Sequence, residues 1–177
     1  MNHQIIRLLF SCFLFSSFSA FAQVVDKEKF REALYLMDES RFAAAQPILE
    51  QVYANDKENA NINYCLGLSM FRAFTEKDKV DALVFLQFAS LQVDPNYNYM
   101  DPKEQMAPVD TWFYLGKAQH NDYQFLEAIE SFTKFKTFVN EKHPLFSEID
   151  KSISMSTYAQ QSVLNPVNIK TINLGDN

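Results

Sequence analysis

Small residues recur at a fixed interval along this chain, and that interval constrains the fold more than any other feature. Ala33 and Gly67 are 34 residues apart. A second small residue follows within a segment: Ala45 comes 12 after Ala33, and Ala128 comes 12 after Gly116. From Gly67 to Ala82 the interval is 15, so three extra residues lie around Thr75–Lys79. From Ala82 to Gly116 it is 34 where 22 would continue the pattern, so 12 residues are inserted there. The insertion is visible as Asp94-Pro95-Asn96-Tyr97-Asn98-Tyr99 and onward to Pro108. Two helices need small residues where their axes come closest, because a larger side chain would push them apart.

Between these markers the pattern is helical. Phe30, Ala33, Leu34 and Met37, then Ile48, Leu49 and Val52, recur at three- and four-residue spacing. The spacing predicts helices in pairs: Phe30–Glu39 with Ala43–Ala54, Asn61–Phe74 with Val80–Val93, and Thr111–Asn121 with Phe125–Val139. A seventh runs from Leu145 to Leu164. The expected class is all-α, over residues 26–164.

The first 22 residues read as an address rather than as fold. Arg7 supplies a positive charge, Leu8–Phe18 is an apolar run, and Ala20-Phe21-Ala22 before Gln23 has the small-residue form of a signal-peptidase site. The run to Ala22 falls short of the roughly 20 residues that span a bilayer as a helix. An uncleaved anchor is one alternative. Lipidation at Cys12 is another, with bulky Phe10 where a smaller residue is usual. The rest of the chain carries no segment apolar enough to span a membrane, so the mature protein is expected to be exported.

Composition narrows the function classes. Of 177 residues, 16 are basic and 22 acidic, a net charge of −6; cleavage would remove one positive charge and no negative one. An acidic chain without a Lys/Arg cluster is a poor match to nucleic acid, which demands concentrated positive charge. Phosphate cradles are missing: neither G-x-G-x-x-G nor G-x-x-x-x-G-K-S/T occurs. The mature chain keeps Cys65 as its single cysteine, so no intramolecular disulfide can form. Its two histidines, His120 and His143, lie in different elements, and H-E-x-x-H, C-x-x-C and G-x-S-x-G are absent. His143 before Pro144 reads as a loop residue. Cys65 and His120 are expected to face different ways, which leaves no nucleophile–base pair. The runs Asp26–Lys29, Asp56–Glu58 and Glu76–Lys79 mix both signs, as solvated loops and helix starts do. No catalytic residue, metal or cofactor is expected, and Trp112, Leu115, Phe132 and Tyr64 read as core.

The third helix pair carries a recognisable string. Trp112-Phe113-Tyr114-Leu115-Gly116-Lys117-Ala118-Gln119 is followed by Phe125-Leu126-Glu127-Ala128-Ile129-Glu130-Ser131-Phe132. This resembles the tetratricopeptide pattern W-x-x-L-G with its later A-x-x-x-F, at the offsets of a 34-residue helix–turn–helix repeat. Leu66-Gly67 with Ala82 and Leu86, and Ala33 with Ala45 and Leu49, give weaker copies. The family tyrosine of the first helix is replaced by Leu36, Met70 and Gln119. Bulky Phe135 would block a close-packed fourth repeat, which suits an irregular capping helix at Leu145–Leu164. The resemblance implies an α-solenoid of three helix pairs plus that C-terminal cap.

In such stacks the first helices line a concave face that holds a peptide or a partner helix. The resemblance places Phe30, Leu34, Met37 and Asp38 on that face, then Tyr64, Leu68, Phe71 and Arg72, then Phe113, Lys117, His120 and Asn121. The lining is mostly apolar and aromatic, with only Arg72 and Lys117 cationic. Residues of the insertion 96–108 could instead cover part of it, since Tyr97, Tyr99 and Met100 need something to pack on.

After Leu164 the character changes. Asn165-Pro166 ends the helix, Val167–Leu174 alternates as a strand would, and Gly175-Asp176-Asn177 signals a turn. Residues 165–177 are expected to be a strand-like tail or a linker at a domain boundary. The exit Asn168–Gly175, together with Asn63–Gly67, Tyr114–Lys117 and Phe125–Ile129, resembles the N-terminal part of exported OmpA-type proteins of Bacteroidota. These place tetratricopeptide repeats before a β-propeller and an OmpA-like domain, and one member type is a type IX secretion component. The resemblance implies protein partners in the cell envelope and outer-membrane association through domains outside these 177 residues. Peptidoglycan binding does not carry over, because the domain that performs it is not in this sequence. The functional expectation is a periplasmic, non-catalytic adaptor. Its rival is a structural spacer of an OmpA-like anchored protein with no ligand on its groove.

Overall fold

The computed structural model describes residues 27–73 and 76–166, and side chains outside 74–80. The expected signal peptide, residues 1–22, lies outside the described part, as does the expected tail of residues 165–177 from residue 167 onward. Among the described residues every regular element is helical: α1 (27–38), α2 (Phe42–Asn55), α3 (Ala60–Arg72), α4 (Glu76–Ala89), α5 (Asp110–Asn121), α6 (Phe125–Phe138) and α7 (Phe146–Leu164). None of these is long and apolar enough to cross a membrane.

Six of the seven helices fall within a few residues of their expected ranges. The exception is α4, expected over Val80–Val93 and found over Glu76–Ala89. Glu76–Lys79, placed in the turn by the 15-residue interval from Gly67 to Ala82, are helical. Glu and Lys are good helix formers, so alternating sign there does not break a helix. At the other end the chain leaves the helix at Ser90, whose hydroxyl donates to the Gln87 carbonyl.

The chain divides into two compact units, residues 1–111 and 112–177. In the first, α3 packs against both α2 and α4. Every residue from Ala60 to Met70 is buried, so α3 is the core helix. Its start is fixed by side chains: Asn59 Oδ1 accepts from the Ile62 amide, and buried Asn63 donates to the carbonyls of Asn59 and Lys57. Gly67 sits at the α3–α4 contact. A Cβ there would lie 2.9 Å from Leu86 Cγ and 3.2 Å from the Ala82 carbonyl oxygen. The pairing of Gly67 with Ala82, expected from the spacing, is therefore present.

In the second unit α6 packs against α7. Gly116 on α5 receives the ring of Phe132 on α6, with a Cβ position 2.7 Å from Cε1. The spacing pairs Gly116 with Ala128; the nearest neighbour is Phe132 instead, whose flat ring fits the space a missing side chain leaves. The Phe113 ring stands 5.6 Å from Phe132 and 5.5 Å from Phe135, centroid to centroid. Leu115, Phe132 and Tyr64 are buried as expected, and Trp112 is half-buried.

The turns of the two units repeat one geometry. Ser40 between α1 and α2 has φ 59°, and Tyr123 between α5 and α6 has φ 61°. In each, the next residue's amide reaches back five residues, Arg41 to Leu36 and Gln124 to Gln119. The residue at positive φ bonds three back, Ser40 to Met37 and Tyr123 to His120. This double bond closes a helix through a left-handed residue. Glycine is usual at such a point, yet neither turn has one.

Candidate functional site

The expected site was a face of first-helix residues, and most of them are buried. Phe30, Leu34, Met37, Tyr64, Leu68 and Phe113 are all less than a tenth exposed. That corrects the expectation that these side chains lie open as a partner groove. Phe71, Lys117 and His120 are half-buried, and Arg72 and Asn121 are exposed. Phe30 through Arg72 belong to the first unit; Phe113, Lys117, His120 and Asn121 belong to the second.

In the first unit the insertion lies against α3 and α1. Asn61 lies three residues before Tyr64 and seven before Leu68, so the three share one face of α3. The Tyr97 hydroxyl donates to Asn61 Oδ1 at 2.8 Å. The Asn61 amide donates to the Gln105 carbonyl at 3.1 Å, and its Nδ2 to the Glu104 carbonyl at 3.3 Å. The Cys65 thiol, one turn on, points at the same Oδ1 from 3.5 Å. On α1, Asp38 accepts from the Tyr99 hydroxyl at 3.3 Å. The insertion is thus a strap tied to both first helices.

Its two ends are clasped together. The Ala107 amide donates to the Gln92 carbonyl and the Asp94 amide to the Ala107 carbonyl, at 2.8 and 2.9 Å. A parallel bridge joins Val93 to Ala107. Ala107 and Pro108 are buried, whereas Pro95, Asn96, Asn98, Tyr99, Lys103 and Gln105 are exposed. Burial first, and neighbouring acidic groups after it, push the Tyr97 hydroxyl far above its ordinary pKa. Burial, then Asp38, lifts Tyr99 to about 12. Both phenols stay protonated donors at neutral pH. Burial also raises Cys65 well above the usual thiol range, which removes the thiolate a nucleophile needs.

In the second unit the cover is α7. His120 Nδ1 lies 2.9 Å from the hydroxyl of fully buried Ser156. Lys117 pairs with Glu148 at 3.9 Å while its ammonium sits 5.2 Å from the Phe113 ring centroid. Two of the side chains expected to meet a partner therefore meet the chain's own last helix. The His143 ring stands 5.3 Å from Phe135, and its Nδ1 accepts from the Leu145 amide. It stands at the entry to α7.

Sequence reasoning missed Asn61, the residue that organises the first unit's face. Its signal was its register with Tyr64 and Leu68, but a polar residue there is invisible to an apolar pattern. Arg72 remains at the edge, 5.2 Å over the Phe42 ring. No group of three or more His, Cys, Asp or Glu among the described residues could hold a metal ion.

The His120 contact has a pH signature. Burial and then the Lys117 charge lower its pKa below the ordinary value of about 6.5. The unfolded chain then binds the proton better than the fold does. This contribution is complete above the unfolded pKa and is lost as pH falls toward the folded one. Thermal melts between about pH 7 and pH 5 should show a second-unit midpoint that falls with acid. His120→Gln should make that slope shallower; an unchanged slope would remove His120 from the account.

No family model matches the chain, and no curated protein matches it either.

Proposed function

We propose that this chain is a non-catalytic tetratricopeptide-repeat adaptor of the bacterial periplasm, working with protein partners in an envelope assembly of the type IX secretion kind. One observation carries the reading: the same glycine-free, left-handed turn closes the first helix of two helical hairpins. The turns stand two 34-residue periods apart once the lengthened intervals are counted. Glycines at the α3–α4 contact and at the α5–α6 contact support the same register. Open to a partner are Arg72 and the exposed side of the strap at Tyr99 in the first unit and, separately, Asn121 in the second.

Photo-crosslinking residues placed singly at Arg72, Tyr99 and Asn121 test the adaptor in exporting cells. The adaptor gives a discrete protein adduct from at least one of these positions. A mere spacer gives none, and that result would end the adaptor reading. Export has its own test. Mass spectrometry of the secreted-pathway product is expected to find Gln23 as the mature N-terminus, through cleavage after Ala22. An intact Met1 or a lipidated Cys12 would overturn it.

A further inference from the structure

The strap supplies the first unit with what a peptide ligand would supply. It offers two consecutive backbone carbonyls, Glu104 and Gln105, to the donors of one asparagine. It adds a buried aromatic hydroxyl on the same Asn61 and a second hydroxyl on Asp38. The Asn61 amide is one of the α3 first-turn donors that no intrahelical carbonyl can reach. Its partner is therefore whatever chain lies alongside.

The strap's middle and its base are held differently: the middle is tied to α1 and α3 by the bonds of Tyr97, Tyr99, Glu104 and Gln105, the base by its own backbone. None of residues 95–106 is fully buried, while the base is fixed by the clasp at Val93 and Ala107 and by the buried Ala107 and Pro108. Between the tyrosine contacts and the Glu104–Gln105 contacts, Met100 is held at φ 69°. That is an unusual conformation for a side chain of its size. Segments with few fully buried residues and local strain open without global unfolding.

We infer that the strap is an exchangeable, built-in occupant of the α1–α3 face, opening at its tip about the clasp to admit an extended peptide segment that carries a tyrosine. The inference rests on the adaptor reading and says how its first unit is regulated. The incoming segment satisfies Asn61 with two successive carbonyls and a phenolic hydroxyl. Its other side chains pack on the stripe of Tyr64 and Leu68 beneath.

The test uses a synthetic peptide with the strap's own sequence, Asp94–Pro108, as the probe. The receptor is the full chain in which residues 95–106 are replaced by a Gly-Ser linker of equal length. The peptide is expected to bind this variant at least tenfold more tightly than it binds the wild type, whose face is already occupied. No binding to a variant that keeps its helical circular dichroism overturns the proposal, and so does equal binding to both proteins. Neither result touches the adaptor reading, which the crosslinking from Arg72, Tyr99 and Asn121 decides separately. Hydrogen exchange of the otherwise intact chain gives a second measurement, should the variant fail to fold. Tyr97→Phe should speed exchange at the Asn61 amide at least tenfold, with the Leu66 amide of the same helix unchanged. Equal rates at Asn61 in wild type and Tyr97→Phe would show that the strap does not open locally.

Discussion

Phe132→Ala should destabilise the second unit by about 3–5 kcal/mol, the range for truncating a buried phenylalanine. Phe132 is 1% exposed. Its ring touches Gly116 on one side and stands 5.6 Å from the Phe113 ring on another. Neither neighbour can close the hole. Gly116 has no side chain to send into it, and Phe113 is held by Phe135 and by the Lys117 ammonium above it. A cavity that cannot collapse sits at the costly end of the range. For a unit this small the midpoint should drop on the order of 10 °C or more. Trp112 is the chain's single tryptophan and lies on α5, the helix that carries Gly116, so its fluorescence follows the melt. A fluorescence melt that moves by less than about 2 °C would mean that the ring is not packed as described.

Gly116→Leu probes the same contact from the opposite side, and its expected cost is at least about 1–3 kcal/mol. Two effects compete. Replacing a mid-helix glycine gains roughly 1 kcal/mol of helix propensity. Against that, even the first added carbon would sit 2.7, 2.8 and 2.9 Å from three carbons of the Phe132 ring. Those distances are inside van der Waals contact, and the ring is boxed in by its aromatic neighbours. Overpacking therefore wins, and leucine's further carbons deepen it. Gly116→Leu and Phe132→Leu should also be coupled, because the second removes the atoms that the first strikes. The double variant should lose less than the two single losses added together. Strict additivity, or an unchanged melt for Gly116→Leu, would mean that α5 and α6 do not meet there.

The sequence carried the helices and their contacts well, because both rest on periodic signals. Gly67 and Gly116 mark close approaches since nothing else in the alphabet leaves that space; Gly67 meets Ala82 as the spacing pairs them, whereas Gly116 meets Phe132 rather than Ala128. The start of α4 was hidden for the opposite reason. Glu76–Lys79 look like a solvated turn and like a solvated helix end alike, and only the backbone distinguishes them. The face of Phe30, Leu34, Met37, Tyr64 and Leu68 was legible as an apolar stripe. What covers it was not. Periodicity identifies which side of a helix avoids water, without saying whether another helix, a loop or a partner excludes it. Tyr97 and Tyr99 were visible as aromatic residues in need of a surface, but their destinations, Asn61 and Asp38, depend on how a dozen irregular residues turn. His120 shows the same limit. Its place on the helix followed from the repeat, and its engagement with Ser156 followed from a seventh helix whose path the repeat does not specify.

The clasp at Gln92, Val93 and Ala107 makes the insertion a modular graft. The chain leaves the end of α4 and comes back to the same spot, so the approach to α5 begins where it would begin without the detour. Loop-closure entropy rises by only about 0.6 kcal/mol for each doubling of length. Cassettes of other lengths and sequences could stand on this base without disturbing the helices on either side. Relatives built on the same scaffold could therefore diverge in specificity at this one place, each carrying its own segment over an unchanged pair of helices.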